Sequence, residues 1–426
     1  MKKLIQTLIA STALVAATGA AQGQTLFQDL ALENQFSPFQ SETNQLATEV
    51  RSRQVLIDTD VASAAFNKFS PADRIALDLF PGRTLNLIKT DFDRFLGGGS
   101  VAWSGQVEGF ENGYATLVST NNRISGHVQI GRETYSIRPR FGGVHEISEV
   151  DVSSLPAEAP VIMGPAMRSA GNEDRPAMAN EPWSPRVRVL TLYTPAALVE
   201  LAGDGDTPQA RAKLAIAMAN TALANSNVKG RRYKYAAVRG TYCGYDENAM
   251  GASYSDLLAD LVTPSTCVGG RAAMLRDIHS ADLVATVRVS AGSTSCGVGY
   301  LLTTGGPASH GFSVTSNFCI EGHTFSHEMG HNLGLHHDRF VVSGASPTDY
   351  NFGLARPELP SPTRTVMAYD DACSGVGGCT RVPLHTNTHP LGTWMGDVFG
   401  KGLHLPDPAL NRKKIMDNWS SIAAFK

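Results

Sequence analysis

The sequence predicts a chain of two folded units: a β-rich amino-terminal half and, from about residue 186, a mixed α/β unit. Three observations carry this. At 426 residues the chain is too long for one ordinary hydrophobic core, which stops growing at about 250–300 residues. Between residues 101 and 137 short strand-like runs are punctuated by Gly and Asn, as in antiparallel hairpins. Beyond residue 186 strand-like and helix-like runs alternate, which implies a sheet with helices packed on it.

Taken in order, the chain opens with Lys2 and Lys3, an apolar run over residues 4–17, and small residues at Gly19, Ala20 and Ala21. This is the order of a secretory signal peptide, assigned here to residues 1–21. The run is shorter than the roughly 20 apolar residues that cross a bilayer, so the expected location is secreted or periplasmic. Residues 22–160 are the β-rich half, with strands expected at 101–107, 114–119, 124–130 and 133–137. This half has no cysteine and only His127 and His145, so it offers little catalytic material and is expected to be a propeptide, a folding aid or inhibitor. Residues 156–185 are rich in Pro, Ala, Met, Glu and Asn without a sustained apolar period, the composition of a linker. We place the linker proper at 161–185, and Arg168, Arg175, Arg186 and Arg188 in or beside it suit a maturation protease.

The second unit, 186–426, begins with an apolar strand at 187–193, which leads through Thr194 and Pro195 to a helix at 207–224. Strands are expected at 233–242, 281–289, 297–302 and 311–315, with helix at 272–279. No internal repeat occurs. The net charge of −3 is nearly neutral; no basic stripe points to nucleic acid and no polybasic amphipathic helix to a membrane surface. All six cysteines, Cys243, Cys267, Cys296, Cys319, Cys373 and Cys379, follow residue 240. An even number in an exported chain favours disulfides, and spacing suggests sequential pairs. No CxxC pair supports thiolate zinc ligation.

Residues 323–338 read His-Thr-Phe-Ser-His-Glu-Met-Gly-His-Asn-Leu-Gly-Leu-His-His-Asp and contain HExxHxxGxxH from His327 to His337. On a helix His327 and His331 project from one face, close enough to grip one metal ion. Gly334 stands where a chain leaving a helix sharply needs positive φ, and the turn returns His337 to the metal. Three neutral imidazoles leave the fourth position of zinc to water, as in catalytic rather than structural sites. Zinc brings that water's pKa from about 16 towards about 7, and Glu328 then takes its proton. His336 and His323 are expected as ordinary exposed or hydrogen-bonding histidines. Asp338 either orients a neighbouring group or caps the turn.

The extended motif resembles that of the metzincin zinc metallopeptidases, and His337 followed by Asp338 is most similar to the reprolysin (adamalysin) branch. Thr365-Val366-Met367-Ala368-Tyr369 resembles the methionine turn beneath the zinc in that family, with Met367 30 residues beyond His337. The resemblance covers residues 186–426 and implies a metzincin-like catalytic domain: a twisted mixed sheet, an active-site helix and a Met-turn. It implies that residues 297–302 form an edge strand above the cleft, able to pair with an extended peptide, and that residues 411–425 form the closing helix. Tyr369 has the place of a transition-state donor in some metzincins and is retained as a candidate catalytic residue. An amino-terminal half without cysteine excludes the thiolate latency of many relatives, which leaves steric cover or a carboxylate.

The function that follows is a secreted zinc-dependent endopeptidase, made as a zymogen, with zinc on His327, His331 and His337. Peptide bonds are hydrolysed by a zinc-bound water activated by Glu328. Expected partners are protein or peptide substrates, with no nucleic acid and no membrane, and the chain is expected to be a monomer. The alternative is a secreted zinc-binding protein-interaction module without proteolytic activity. His385 and His389 are expected as solvent-exposed histidines in a loop on the lower rim of the cleft, since Asn387 and Pro390 argue against a helix.

Overall fold

The computed structural model describes residues 25–30, 48–94, 97, 99–165, 186–245, 247, 253–289, 295–303, 306–394 and 396–426. The expected signal peptide, and all but residues 161–165 of the expected linker, lie outside the described residues. Among the described residues no helix is long and apolar enough to cross a membrane.

The amino-terminal unit is a nine-stranded antiparallel sheet. Its strands are β1 (Phe27–Asp29), β2 (Glu49–Ile57), β3 (Arg74–Phe80), β4 (Arg83–Asp93), β5 (Val101–Val107), β6 (Gly113–Thr120), β7 (Arg123–Ile130), β8 (Glu133–Pro139) and β9 (Val144–Val150). They lie in the order β1-β2-β9-β8-β7-β6-β5-β4-β3. A backbone bridge between Thr25 and Ala76 brings the first edge to the last, so the sheet curls towards a barrel and covers its own edges. Asn121 and Asn122, at φ 51° and 60°, make the tight turn between β6 and β7, where paired positive φ matches the twist of the strands. Alternation along β5 and β6 sends Val101, Trp103, Ala115 and Leu117 into the barrel core, and the intervening Ala102, Ser104, Thr116 and Val118 to the opposite face.

That opposite face meets the second unit. After a short strand β10 (Ile162–Met163) come β11 (Val187–Tyr193), β12 (Tyr233–Gly240), β13 (Leu283–Arg288), β14 (Gly297–Leu301) and β15 (Phe312–Ser316), in the order β10-β14-β15-β13-β11-β12. The strands β12, β11, β13 and β15 are parallel, and β14 is antiparallel to β15. Every residue of β13 and β15 is buried, as parallel strands covered on both faces must be. Among the described residues one α-helix, α1 (Thr59–Ala65), belongs to the first unit; the others, α2 (Pro195–Asp204), α3 (Pro208–Asn225), α4 (Tyr254–Leu261), α5 (Cys267–Ile278), α6 (Thr324–Asn332) and α7 (Asn411–Ile422), belong to the second. Thr194 and Thr207 cap α2 and α3 through their hydroxyls, each followed by proline. On one face of the mixed sheet lie α4 and α5; on the other lie α3, α6 and α7.

Helix α3 is buried almost all round because two sheets enclose it. Thr221 on α3 reaches Ser104 and Thr116 of the barrel at 3.2 and 3.1 Å, and Lys213 donates to Ser100 at 2.7 Å. The disulfides are Cys243–Cys267, Cys296–Cys319 and Cys373–Cys379, the sequential pairs. Residues 156–165, read from composition as the start of a linker, are held: β10 runs parallel to β14 along its outer edge. Prolines 156 and 160 fix the extended backbone that such pairing needs.

Candidate active site

Helix α6 is polar in sequence yet every residue is buried, so its side chains must find partners inside. Asn332 donates to the carbonyls of Tyr300 and Phe312, both at 3.0 Å, stitching the helix to β14 and β15. His327 donates from Nδ1 to the carbonyl of Val366 at 2.8 Å, and His331 from Nδ1 to that of Leu335 at 2.7 Å. A carbonyl only accepts, so in the neutral rings Nε2 is the bare nitrogen. The helix stops at Gly334, at φ +89°, where a Cβ would stand 2.5 Å from Asn418 Nδ2 and 2.7 Å from the carbonyl of Leu302.

Past this turn His337 brings its Nε2 to 3.0 Å from that of His331, itself 3.1 Å from that of His327. These three imidazoles form a cluster able to hold a metal ion. Burial holds all three ring pKa values below the ordinary range, His327 to about 4, and neighbouring rings depress His331 and His337 further. Neutral rings, with Nε2 left bare on His327 and His331 and that of His337 turned towards them, suit a cation between the three.

Glu328 supports the same fit. Its carboxylate is buried and neither oxygen has a hydrogen-bond partner. Burial first, and then Glu158, push its pKa well up; a nearby cation acts in the opposite sense. Room for this side chain is left by β14, where a Cβ on Gly297 would come within 2.8 Å of Glu328 Oε1. Under the histidines Met367 is fully buried and packs against Gly330, where α6 has no side chain to obstruct it. Tyr369 packs against His337 with ring centroids 4.0 Å apart and the planes tilted by 34°. Its hydroxyl donates to the carbonyls of Glu158 and Ala159, both at 3.0 Å.

Asp338 does not bond a histidine ring. It accepts from the amides of Phe340 at 3.0 Å and Tyr369 at 2.8 Å, so it caps its own turn and ties that turn to the Met367 segment. His336 is not one of the three clustered rings: it stacks on Phe352 and its Nδ1 accepts from the amide of His337 at 2.8 Å. His323 is buried and bonded to the Tyr114 hydroxyl, which also contacts His127 at 2.9 Å. The expectation for His385 is corrected: it is buried, not exposed, because Val382 and Leu384 on its segment pack into a core with Tyr114, Trp394 and Phe399. His389 is half-buried, and both lie outside regular helix and strand.

Sequence reasoning missed one pair. Glu158 and Arg381 form a buried ion pair in which Arg381 Nη2 donates to Oε2 at 2.9 Å and Nη1 to Oε1. Thr324, the first residue of α6, also donates to Oε1 at 3.0 Å. Neither residue lies in a motif; the only hint was an acidic residue between two prolines in Pro156-Ala-Glu-Ala-Pro160.

Two imidazoles and a buried carboxylate on one helix, with a third imidazole brought in by the turn beyond it, suit a metal-dependent hydrolase, and the family match and the curated relatives agree. Residues 185–376 match Reprolysin_5, metallo-peptidase family M12, and with the curated relatives this makes the protein a zinc metalloendopeptidase. It is 25% identical over 428 residues to the peptidyl-Asp metalloendopeptidase of Xanthomonas campestris pv. campestris, an alignment covering 97% of this chain and 96% of that one. The peptidyl-Asp metalloendopeptidase of Pseudomonas aeruginosa is 31% identical over 210 residues, 44% of this chain and 32% of that protein. Among solved structures, metalloproteinase-II from Bacteroides fragilis aligns over 65% of this chain and 84% of its own at 12% identity, with a TM-score of 0.38.

Proposed function

We propose that this chain is an exported endopeptidase made as a precursor, with zinc held by His327, His331 and His337 and Glu328 as general base. Residues 22–160 are its propeptide. Both named relatives are peptidyl-Asp metalloendopeptidases, and we extend a preference for bonds beside aspartate to this chain. The observation that carries the proposal is the convergence of three imidazole nitrogens within 4.8 Å of one another next to an unpartnered buried carboxylate.

Zinc, when bound, supplies a Lewis acid that polarises a carbonyl and acidifies a water. The chain's own groups do the rest. Strand β14 offers its edge to an extended substrate backbone. Glu328 accepts a proton from the attacking water and returns it to the leaving amine. Tyr369, whose pKa burial raises, stays protonated and donates to the oxyanion.

Hydrolysis of casein by the zinc-loaded protein made from the full chain tests this. Cleavage should vanish with a chelator, and Glu328→Gln should retain zinc while losing at least about 100-fold in turnover. Undiminished turnover by Glu328→Gln would remove the proposed mechanism.

A further inference from the structure

The outer edge of β14 is occupied. The amide of Cys296 donates to the carbonyl of Ala157 at 2.9 Å, that of Ala159 to Gly297 at 2.8 Å, and that of Gly164 to Leu301 at 3.1 Å. Residues 157–164 thus take the ladder an extended peptide would use. The Tyr369 hydroxyl, proposed above to face a reacting carbonyl, lies 3.0 Å from those of Glu158 and Ala159. The backbone of Glu158 therefore stands where a scissile bond would stand. Its side chain leaves the ladder into a cavity of about 380 Å³ lined by Thr324, Arg364, Tyr369 and Arg381 among others, and ends on the Arg381 guanidinium and the Thr324 hydroxyl.

We propose that Arg381 is the specificity residue, reading an acidic side chain next to the scissile bond, and that Glu158 occupies its place as an internal mimic of the substrate. The pocket is built for this. Arg381 is buried, anchored by donation to the carbonyl of Gly322 at 3.0 Å. Of its neighbours, Arg364 is committed to the carbonyl of Ala368 at 2.7 Å and to Asp370. When residues 157–164 leave, the guanidinium loses its carboxylate partner, and a buried fork of donors is satisfied best by another carboxylate. An amide of the same shape leaves the charge uncompensated, which is how a buried polar site rejects a near-isostere.

The inference rests on the peptidase assignment, and the experiment separates the two. The zinc-loaded enzyme made from the full chain is given matched peptides with Asp, Glu, Asn or Lys beside one cleavable bond. We expect kcat/KM for Asp over Asn to be at least about 100, and Arg381→Gln to bring that ratio near unity; a fold defect would lower both values and leave the ratio intact. Should Arg381→Gln not fold, synthetic peptides of residues 155–165 with Glu or Gln at position 158 serve on the unaltered enzyme. The Glu158→Gln peptide should inhibit at least about tenfold more weakly. Cleavage without acidic preference, a preference that survives Arg381→Gln, or equal inhibition by the two peptides overturns the inference and leaves the peptidase standing. Absence of any cleavage by zinc-loaded enzyme from which the amino-terminal unit has been verifiably removed overturns the peptidase assignment, and the inference with it.

Discussion

Tyr369 shows how much a single side chain depends on its setting. Its ring is fixed against His337 and its amide is held by Asp338, so the hydroxyl is aimed before any substrate arrives. Replacing it with phenylalanine keeps the ring and removes one donor. Tyr369→Phe should lower kcat by roughly 100-fold, the usual effect of losing an oxyanion donor, with KM little changed; equal kcat for both forms would reduce Tyr369 to a packing residue. The histidines were legible because a helix demands fixed offsets: His327 and His331 are four apart and Gly334 follows three later. Glu158 and Arg381 were not, because they are 223 residues apart and nothing local marks either one. Their roles arise from burial and from each other.

At the scale of the element, the turn after α6 is the most demanding feature. At φ +89° Gly334 lies where a side chain is strained, and a Cβ would press on Asn418, whose amide donates to the Leu333 carbonyl at 2.9 Å. Strain and crowding together cost about 2 kcal/mol, roughly 4–8 °C in melting temperature for a unit of this size. Gly334→Ala should show that loss together with weaker zinc retention against a competing chelator, since His337 is placed by the turn. A variant with normal zinc retention would separate the turn from the metal centre. Periodicity read the elements of this unit well: the helix expected at 207–224 is Pro208–Asn225, and the strand at 187–193 is Val187–Tyr193. Composition could not foresee that residues 156–165 pair with β14, since the same prolines suit a free linker and an extended strap. Nor could it foresee why α3 buries Arg211, Lys213, Asn220 and Thr221, whose partners come in part from the barrel.

For the whole molecule, the joint between the two units is unusually polar. Glu321 accepts from Arg211 at 2.8 Å, from Arg138 of the barrel at 3.0 Å and from Ser136 at 2.7 Å. Beside them the Tyr114 hydroxyl joins His127 to His323. Burial lowers the pKa of His127 to about 4 and that of His323 well below its ordinary value. Once the units part, both rings rise towards about 6.5, His323 against the opposing charges of Arg381, His385 and Arg364 on its own unit. The assembled form then binds fewer protons than the separated one whenever the pH is below that value, so acid favours separation. Each ring contributes about tenfold per pH unit, and the two together about 100-fold, between roughly pH 6 and 5. The carboxylates of Glu321 and Glu158, held low by their arginines, act in the same direction only below about pH 4.3. With the chain cut between residues 166 and 185, the Kd of the two pieces should be flat above pH 7 and rise steeply below 6, and His127→Gln should reduce the slope to about tenfold per unit. A Kd constant from pH 7.5 to 5 would show that the joint does not keep these rings from protons, and acid release of the amino-terminal unit would have to be abandoned.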